Sequence, residues 1–451
     1  MMVWAEIRLG DVCTKIGSGA TPRGGGSVYF DAGPIAFIRS QNIYNEGFSW
    51  DGLVYLDEKL AQGLANVQVE DLDILLNITG DSVARTCQVL KDVLPARVNQ
   101  HVAIIRPNPK ILWPTYLRYY LVSYEMQAHM LALAAVGATR NALTKSMIES
   151  FSIKCPKSVN GQKSIADVLA TLDDKIDLNR RINQTLEAMA QAMFKSWFVD
   201  FDPVKAKIAA RQALSPAISQ KEREEIVLRA AISAISGKPD AELDTLPPEQ
   251  YASLSATAAL FPDEMEESEL GEIPNGWKMQ RVGNVLELVY GKALKSTDRQ
   301  EGSVPVYGSG GITGFHNTPL VPHGSIIVGR KGTVGSLYWE DEPFFPIDTT
   351  YYVRPLVAPL TFCYYTMQTL GLEKMNTDAA VPGLNRENAY RLGLVLPDSA
   401  TLQKFDLEAT TLRKAIRSNS SANISLATLL PKLLSGELSV ENISPESEAM
   451  A

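Results

Sequence analysis

The sequence predicts an α+β protein in which one mixed domain occurs twice, with a long coiled-coil helix after each copy. Three observations predict this class. Short motifs from the first third of the chain recur in the same order after residue 273. Runs of β-branched and aromatic residues between Gly, Pro and Asn turns indicate strands. Two stretches keep apolar residues at heptad spacing over more than four heptads, which favours long paired helices.

Length and composition set the frame for this prediction. A chain of 451 residues is longer than one hydrophobic core usually serves, so several domains are expected. The chain is 45% hydrophobic and 21% charged, as soluble globular proteins are. No apolar run approaches the roughly 20 residues that span a bilayer, and the start MMVWAEIRLGD has no signal-peptide pattern. We therefore expect a cytoplasmic protein with no membrane contact.

The four cysteines, Cys13, Cys87, Cys155 and Cys363, are scattered and form no CxxC or CxxH pattern. This spacing predicts free thiols in a reducing compartment and no structural zinc site. The net charge of −8 comes almost entirely from residues 202–273, which hold 7 basic and 14 acidic side chains. The two predicted mixed domains are close to neutral, so each could still present a basic face to DNA.

Self-similarity is the most informative feature of the chain. The matches keep one order along the sequence, with offsets that fall smoothly from 273 to 240 residues. They include LGDV at 9–12 with VGNV at 282–285, DILL at 73–76 with SIIV at 325–328, IIRP at 104–107 with YVRP at 352–355, and AAV at 134–136 with AAV at 379–381. Each match is weak alone, but together they predict two copies of one fold. The loops would vary while the fold stays constant.

Each copy is followed by a heptad pattern. The a positions of the two patterns are related by a constant offset of 240: Ile165, Leu172, Asn179, Leu186 and Met193, then Phe405, Leu412, Asn419, Leu426 and Leu433. A polar Asn on an apolar seam costs stability but penalises slipped registers. We therefore predict that Asn179 and Asn419 approach each other and fix the register. Gly436 and Pro203 are predicted to end the helices.

These patterns divide the chain into six segments. We place the first mixed domain at 1–157, the first long helix at 158–201 and an acidic, partly helical linker at 202–273. The second mixed domain follows at 274–398, the second long helix at 399–440 and a tail at 441–451. In the linker, only residues 221–233 are expected to be helical.

The chain shows no catalytic constellation. There is no GxxxxGK[ST] loop, no HExxH, no hydrolase cysteine signature and no Asn/Asp-Pro-Pro-aromatic tetrapeptide of an amino-methyltransferase. The glycines at 17–19 and 308–311 do not fit a strand–GxGxxG–helix unit and are interpreted as turn residues. We therefore expect no metal site and no catalytic residue.

Three motifs resemble those of type I restriction-modification specificity subunits. Residues 193–203 (MFKSWFVDFDP) are similar to the end of the central helix in that family. Residues 271–277 (GEIPNGW) resemble the entry to its second target recognition domain, and residues 429–438 (LLPKLLSGEL) resemble its C-terminal helix end. The layout and the motifs together cover nearly the whole chain. The second copy departs from the pattern, since Ile347-Asp348-Thr349 stands where the first copy has Asn99-Gln100-His101.

The resemblance implies two target recognition domains that each read one half of a bipartite double-stranded DNA site. It implies that the long helices pair antiparallel as a spacer. It also implies partners: two modification (methyltransferase) subunits, which would supply S-adenosylmethionine and adenine N6 methyl transfer, and restriction subunits, which would use ATP and Mg²⁺ for translocation and cleavage. This chain itself would bind no cofactor and catalyse nothing.

Reading bases requires donors and acceptors on loops, with Arg or Lys suited to guanine and Asn or Gln to adenine. The candidates in the first copy are Arg23, Gln41, Asn42, Arg85, Gln100, His101, Arg140, Asn141 and Lys145. Those in the second copy are Lys292, Lys295, Arg299, His316, Arg330, Lys331, Asn385 and Arg386. Apolar e positions widen the helix stripe beyond a two-helix seam, which predicts a surface for the methyltransferase subunits. These positions are Leu169, Ile176, Trp197, Ile416 and Leu430.

Three other interpretations remain open from the sequence. The chain could serve a fused restriction–methylation enzyme of another class. It could be a coiled-coil adapter that binds only proteins, which predicts no salt-sensitive DNA affinity. It could also be a small-molecule enzyme, although the sequence offers no His or carboxylate cluster for that role.

Overall fold

A computed structural model describes residues 2–135, 141–215, 217–375 and 383–440. The chain divides into two compact units. Unit 1 contains the residues up to Asn179 together with those from Ser421 onward, and unit 2 contains Arg180–Ser420. Each long helix therefore contributes one half to each unit.

The first repeat lies in unit 1. Its strands are β1 (Trp4–Arg8), β2 (Cys13–Ser18), β3 (Ile35–Ile38), β4 (Ile43–Tyr44), β5 (Gly47–Phe48), β6 (Val54–Leu56), β7 (Gln68–Val69), β8 (Ile74–Asn77), β9 (Thr86–Gln88), β10 (Ala96–Val98), β11 (Val102–Pro107) and β12 (Ser152–Pro156). Its helices are α1 (Leu9–Val12), α2 (Glu58–Gln62), α3 (Pro114–Val122), α4 (Tyr124–Ala135) and α5 (Lys145–Glu149).

Two sheets form the centre of this repeat. Strands β2-β11-β8-β9 make an antiparallel sheet, and β6-β3-β10-β7 make a mixed one in which β3 and β10 run parallel. Strand β8 is buried at all four positions because a core lies on each of its faces. This explains why its sequence, ILLN, has no polar alternation.

The first long helix is α6 (Val159–Phe198). It is followed by α7 (Asp202–Ala213), α8 (Gln220–Ser236), α9 (Asp240–Leu243), α10 (Pro248–Ala259) and the hairpin β13 (Met265–Ser268) and β14 (Gly271–Pro274). The expectation that residues 202–273 are mostly irregular outside 221–233 is therefore wrong. Ala231, Ile232, Leu243 and Ala258 form a small core of their own, which packs α8, α9 and α10 together despite their acidic surface.

The second repeat lies in unit 2. Its strands are β15 (Lys278–Arg281), β16 (Leu286–Tyr290), β17 (Val304–Gly308), β18 (Gly311–His316), β19 (Ser325–Gly329), β20 (Leu337–Glu340), β21 (Phe345–Pro346), β22 (Thr350–Pro355) and β23 (Gly393–Leu396). Its helices are α11 (Val282–Val285), α12 (Leu360–Thr369) and α13 (Arg386–Tyr390), and the second long helix α14 (Ser399–Ser435) follows.

The two repeats share one topology, as the internal motifs predicted. The sheet order β2-β11-β8-β9 corresponds to β16-β22-β19-β20, and the pair β1-β12 corresponds to β15-β23. Helices α1, α3 and α5 occupy the same chain positions as α11, α12 and α13. The α+β class and the repeat are both confirmed.

The long helices pair antiparallel inside each unit. In unit 1, Ile165 and Leu172 of α6 share a core with Leu433 and Leu434 of α14. In unit 2, the ring centroids of Phe198 and Phe405 lie 5.1 Å apart. Helix α14 ends where Gly436 adopts a φ of 77° beneath the Trp4 ring, and a Cβ at Gly436 would lie 2.6 Å from Trp4 Cζ2. Only glycine satisfies both conditions.

Two asparagine pairs lie between these helices. In unit 1, Asn179 Nδ2 donates to Asn423 Oδ1 over 2.8 Å. In unit 2, Asn419 Nδ2 donates to Asn183 Oδ1 over 2.9 Å. The prediction that Asn179 and Asn419 pair with each other is therefore wrong in its partners, because each amide bonds to an asparagine that the heptad analysis did not single out. Both amides lie between the helices, where Asn179 is buried and Asn419 is half-buried.

Candidate nucleic-acid interface

A groove in unit 1 collects several of the residues predicted to bind DNA. It has a volume of about 590 Å³ and lies where β8 ends. Four of its lining residues were predicted from the sequence, namely Gln41, Arg85, His101 and Asn141. The groove is also lined by Ser40, Tyr44, Thr79, Gly80, Asp81, Ser82 and Ala142.

Neighbouring side chains fix the orientation of the donors in this groove. The Arg85 guanidinium lies over the Tyr44 ring at 4.8 Å from its centroid. His101 Nδ1 shares a hydrogen bond with Thr79 Oγ1 at 2.6 Å, and His101 Nε2 lies 3.1 Å from Gln100 Nε2. Side chains that are already fixed by such contacts lose less rotamer entropy when they bind a ligand, so this arrangement suits recognition.

Other predicted residues of the first repeat lie outside the groove. Asn42 is fully buried, and its amide donates to Ser49 O and Asp51 O while accepting from Arg39 N. Its prediction as a DNA-binding residue is wrong, because every polar atom of the side chain closes the loop around it. Arg23 and Lys145 are exposed but do not line the groove. Arg140 lies outside the described residues.

Unit 2 carries a corresponding groove of about 290 Å³ at the end of β19. The predicted residues that line it are Arg330, Lys331, Asn385 and Arg386. They stand beside Tyr290, Tyr351, Gly383, Leu384 and Glu387. Three cationic side chains thus converge on one concave surface: Arg330 and Lys331 from one segment and Arg386 from another. This arrangement favours an anionic ligand.

Tyr290 organises the arginines of this groove. The guanidinium carbons of Arg330 and Arg386 lie 5.0 Å and 5.2 Å from the same Tyr290 ring centroid. Arg330 Nη1 also donates to Asp348 O over 2.9 Å. Burial raises the pKa of Tyr351 to about 12, so its hydroxyl stays protonated and donates to Leu384 O at 3.0 Å.

Several predicted residues of the second repeat also make hydrogen bonds within the local fold. Asn385 lines the groove, but its Oδ1 caps α13 by accepting from Glu387 N. Arg299 donates to Thr313 O over 2.7 Å and so braces the β17–β18 hairpin. His316 Nδ1 accepts from Gln300 N at 3.0 Å. Lys292 and Lys295 are exposed and lie outside the groove.

The two grooves occupy equivalent places in the repeat. Thr79 follows β8 and forms an isolated bridge with Ala142, whereas Lys331 follows β19 and bridges to Gly383. A short helix with a side-chain N-cap follows in both, capped by Thr144 in the first repeat. Sequence reasoning missed the aromatic residues Tyr44 and Tyr290. Each stands at the end of a short strand, and this position was the only available signal.

The predicted surface for partner subunits is largely buried. Leu169, Ile176 and Trp197 are at most 8% exposed and belong to intramolecular packing, so their prediction as a subunit interface is wrong. Leu169 and Trp197 are buried because residues of the neighbouring domains pack against these e positions of the helix. Ile416 and Leu430 are half-buried. The exposed apolar side chains of the long helices are instead Leu178 and Ile424 in unit 1 and Ile182, Met189 and Leu407 in unit 2.

Two further findings concern the described residues only. They contain no group of three or more His, Cys, Asp or Glu side chains that could hold a metal ion. None of their helices is both long and apolar enough to cross a membrane.

Comparisons with known proteins agree with this architecture. A family model described as "Type I restriction modification DNA specificity domain" matches residues 1–188 and 274–414. The chain is 29% identical to the type I restriction enzyme HindI specificity subunit of Haemophilus influenzae, over 97% of this chain and 100% of that protein. It is 22% identical to the MjaIX specificity subunit of Methanocaldococcus jannaschii, over 77% of this chain and 74% of that one.

A solved structure shares the fold. The type I restriction-modification S subunit from M. genitalium superposes with a TM-score of 0.51 at 15% identity, covering 96% of this chain and 95% of that chain. The stretch 189–273 lies outside the family match, and it contains the end of α6, the helices α7–α10 and most of the β13–β14 hairpin.

Proposed function

The chain belongs to the type I restriction modification DNA specificity family, and on that premise we propose that it reads a bipartite double-stranded DNA target with one half in each repeat. Membership makes it a DNA-recognition subunit, and in this family catalysis lies in partner subunits. The observation that carries the proposal is the pair of equivalent grooves. Each gathers arginine with other polar side chains at the same place in the repeat.

The chemistry of the grooves supports recognition of both backbone and bases. Phosphate contacts come from Arg and Lys and supply affinity, whereas contacts with base edges supply specificity. Arg330 and Lys331 follow a buried strand directly and are suited to phosphate. Gln41, Arg85 and Asn141 have the donors and acceptors that distinguish bases in the major groove.

We also propose that partner subunits supply the chemistry. Two modification subunits would transfer a methyl group from S-adenosylmethionine to adenine N6, and restriction subunits would use ATP and Mg²⁺ to cleave DNA. In unit 2, the exposed side chains Ile182 and Met189 stand seven residues apart on α6 and so share one helix face. Exposed apolar residues on one face suit a helix of a modification subunit.

The test is the salt dependence of binding to duplex DNA by the full-length chain. A contact with one phosphate contributes about −0.9 to the slope of log K against log salt concentration. Each of the variants Arg330→Ala and Lys331→Ala should lose at most one phosphate contact and so reduce the magnitude of the slope by about 0.9 or less. Lys221→Ala is the matched control, since it removes an exposed cation from α8 of the same unit and should leave the slope unchanged.

Absence of salt-sensitive binding to duplex DNA by the wild-type chain would reject the proposal and favour a protein-binding adapter. Equal slopes for all variants would reject the unit 2 groove as the binding surface while leaving DNA recognition elsewhere on the chain.

A further inference from the structure

Behind the unit 1 groove lies a network of side-chain amides that holds the backbone around Arg85. Asn45 Oδ1 accepts from Thr86 N at 2.9 Å, and Asn45 Nδ2 donates to Gln127 Oε1 at 3.2 Å. Gln127 Nε2 donates to Ala84 O at 3.0 Å. The residues on both sides of Arg85 are therefore fixed by two amide side chains from elsewhere in the repeat.

The backbone held by this network is strained. Ala84 has a φ of 73°, a left-handed conformation that is unfavourable for a residue with a Cβ. Its amide nitrogen donates to Asn77 O at 2.9 Å, and Thr86 Oγ1 donates to its carbonyl at 2.9 Å. Strain of this kind persists only where surrounding contacts over-determine it, and it accumulates at functional sites. The residue that it directs into the groove is Arg85.

The same network reaches the long helix within unit 1. Arg118 Nη2 donates to Asn45 O at 3.1 Å, and Arg118 Nη1 pairs with Asp173 of α6 at 2.7 Å. The Arg118 side chain is 11% exposed and that of Asp173 is 33% exposed, so this ion pair is partly shielded from solvent. A continuous set of polar contacts thus connects α6 to the backbone beside Arg85.

We propose that Arg85 reads a guanine in the half-site bound by the first repeat, and that Asn45 and Gln127 are positioning residues that aim it. The inference rests on the proposed function. A bidentate contact with guanine O6 and N7 requires a guanidinium held in a defined plane, unlike a phosphate contact, which tolerates many orientations. Stacking of the guanidinium on the Tyr44 ring, together with the fixed backbone of Ala84 and Thr86, defines that plane.

The test is selection of bound duplexes from a randomised library by the full-length chain, followed by sequencing. Wild type should enrich a two-part motif with guanine at one position of one half. Arg85→Ala should reduce the preference at that position by about 5- to 150-fold and leave the other half unchanged. Arg85→Lys should recover only part of the preference, since Lys lacks the planar fork.

The positioning role has its own readout. Gln127→Met keeps the size of the side chain but removes its amide, and Asn45→Ala removes the acceptor for Thr86 N. Both should relax the preference at the Arg85 position alone while the chain stays folded and the salt slope stays near wild type, although the lost hydrogen bonds should lower the melting temperature. Lys91→Ala is the control, because it removes an exposed cation outside the groove and should alter no position.

The outcomes separate the two proposals. A wild-type chain that enriches no motif rejects the proposed function. A wild-type motif that Arg85→Ala retains, with uniformly weaker binding, overturns only the guanine assignment and makes Arg85 a phosphate contact. Loss of preference in Arg85→Ala without any change in Gln127→Met and Asn45→Ala overturns the positioning role.

Discussion

The asparagine pair in unit 1 predicts a measurable coupling between the two long helices. Asn179 is 4% exposed, and its Nδ2 donates to Asn423 Oδ1 at 2.8 Å. The perturbation is a double-mutant cycle of Asn179→Ala, Asn423→Ala and the two together. Each single change removes one partner and leaves the other amide beside an apolar side chain.

The magnitude follows from burial. A net hydrogen bond is worth about 0.5–1.5 kcal/mol, and an unsatisfied buried partner costs about 1–3 kcal/mol. Asn423 is half-buried and can accept from water, so the lower end applies to it. We expect each single variant to lose about 1.5 kcal/mol and the double variant about 2 kcal/mol, which is a coupling energy of about 1 kcal/mol.

The assay is hydrogen exchange measured by mass spectrometry on peptides of α6 and α14, which reports the free energy of local opening. Asn183 and Asn419 of unit 2 stay intact in every variant. If the two single effects add to within about 0.3 kcal/mol, the amides do not interact and the reasoning is refuted. A double Leu variant should open less readily, because two apolar side chains replace a polar pair on the seam.

Two further predictions concern buried thiols and partner assembly. Burial raises the pKa of Cys87 and of Cys363 to about 12, so at pH 8 only about one thiol in ten thousand is ionised. Iodoacetamide at pH 8 should leave both unmodified in the native chain and label them in denaturant. Native labelling at the rate of a free thiol would contradict the buried geometry. Ile182→Ser with Met189→Ser should reduce co-purification of a modification subunit without loss of thermal stability, whereas Leu270→Ser, an equally exposed site in unit 2, should not. Undiminished co-purification would count against this helix face.

The sequence predicted the fold well where patterns repeat. Order and offset identified the two copies, and heptads identified the helices, because both signals accumulate over many residues. Residues 221–233, within α8, were predicted to be helical, but α7, α9 and α10 escaped detection because they are short, and the core that α9 and α10 share with α8 is only a few Ala, Ile and Leu side chains. Such a pattern is too brief to distinguish from a helical linker.

The site was predicted less completely, for a physical reason. Arg330 and Lys331 are loop cations whose position directly after an apolar strand could be inferred from the sequence, whereas Arg85 was predicted only as a loop residue. Asn42 has the same loop context as Gln41, yet its side chain is buried and bonds to backbone groups seven and nine residues later in the chain. Whether an amide faces solvent or closes a turn depends on tertiary contacts, which no local pattern encodes.

The division of each long helix between two units has a consequence for synthesis. Unit 1 needs the chain from Ser421 onward to cover Ile165 and Leu172, because Leu433 and Leu434 are their packing partners. About 240 residues separate these pieces, and ribosomes add about 5–20 residues per second. The first piece therefore waits on the order of 10–50 seconds with an apolar stripe uncovered. During that interval we expect chaperones to bind the exposed apolar stripe of the nascent chain. A chain terminated before Ser421 would keep this stripe exposed and would therefore tend to aggregate.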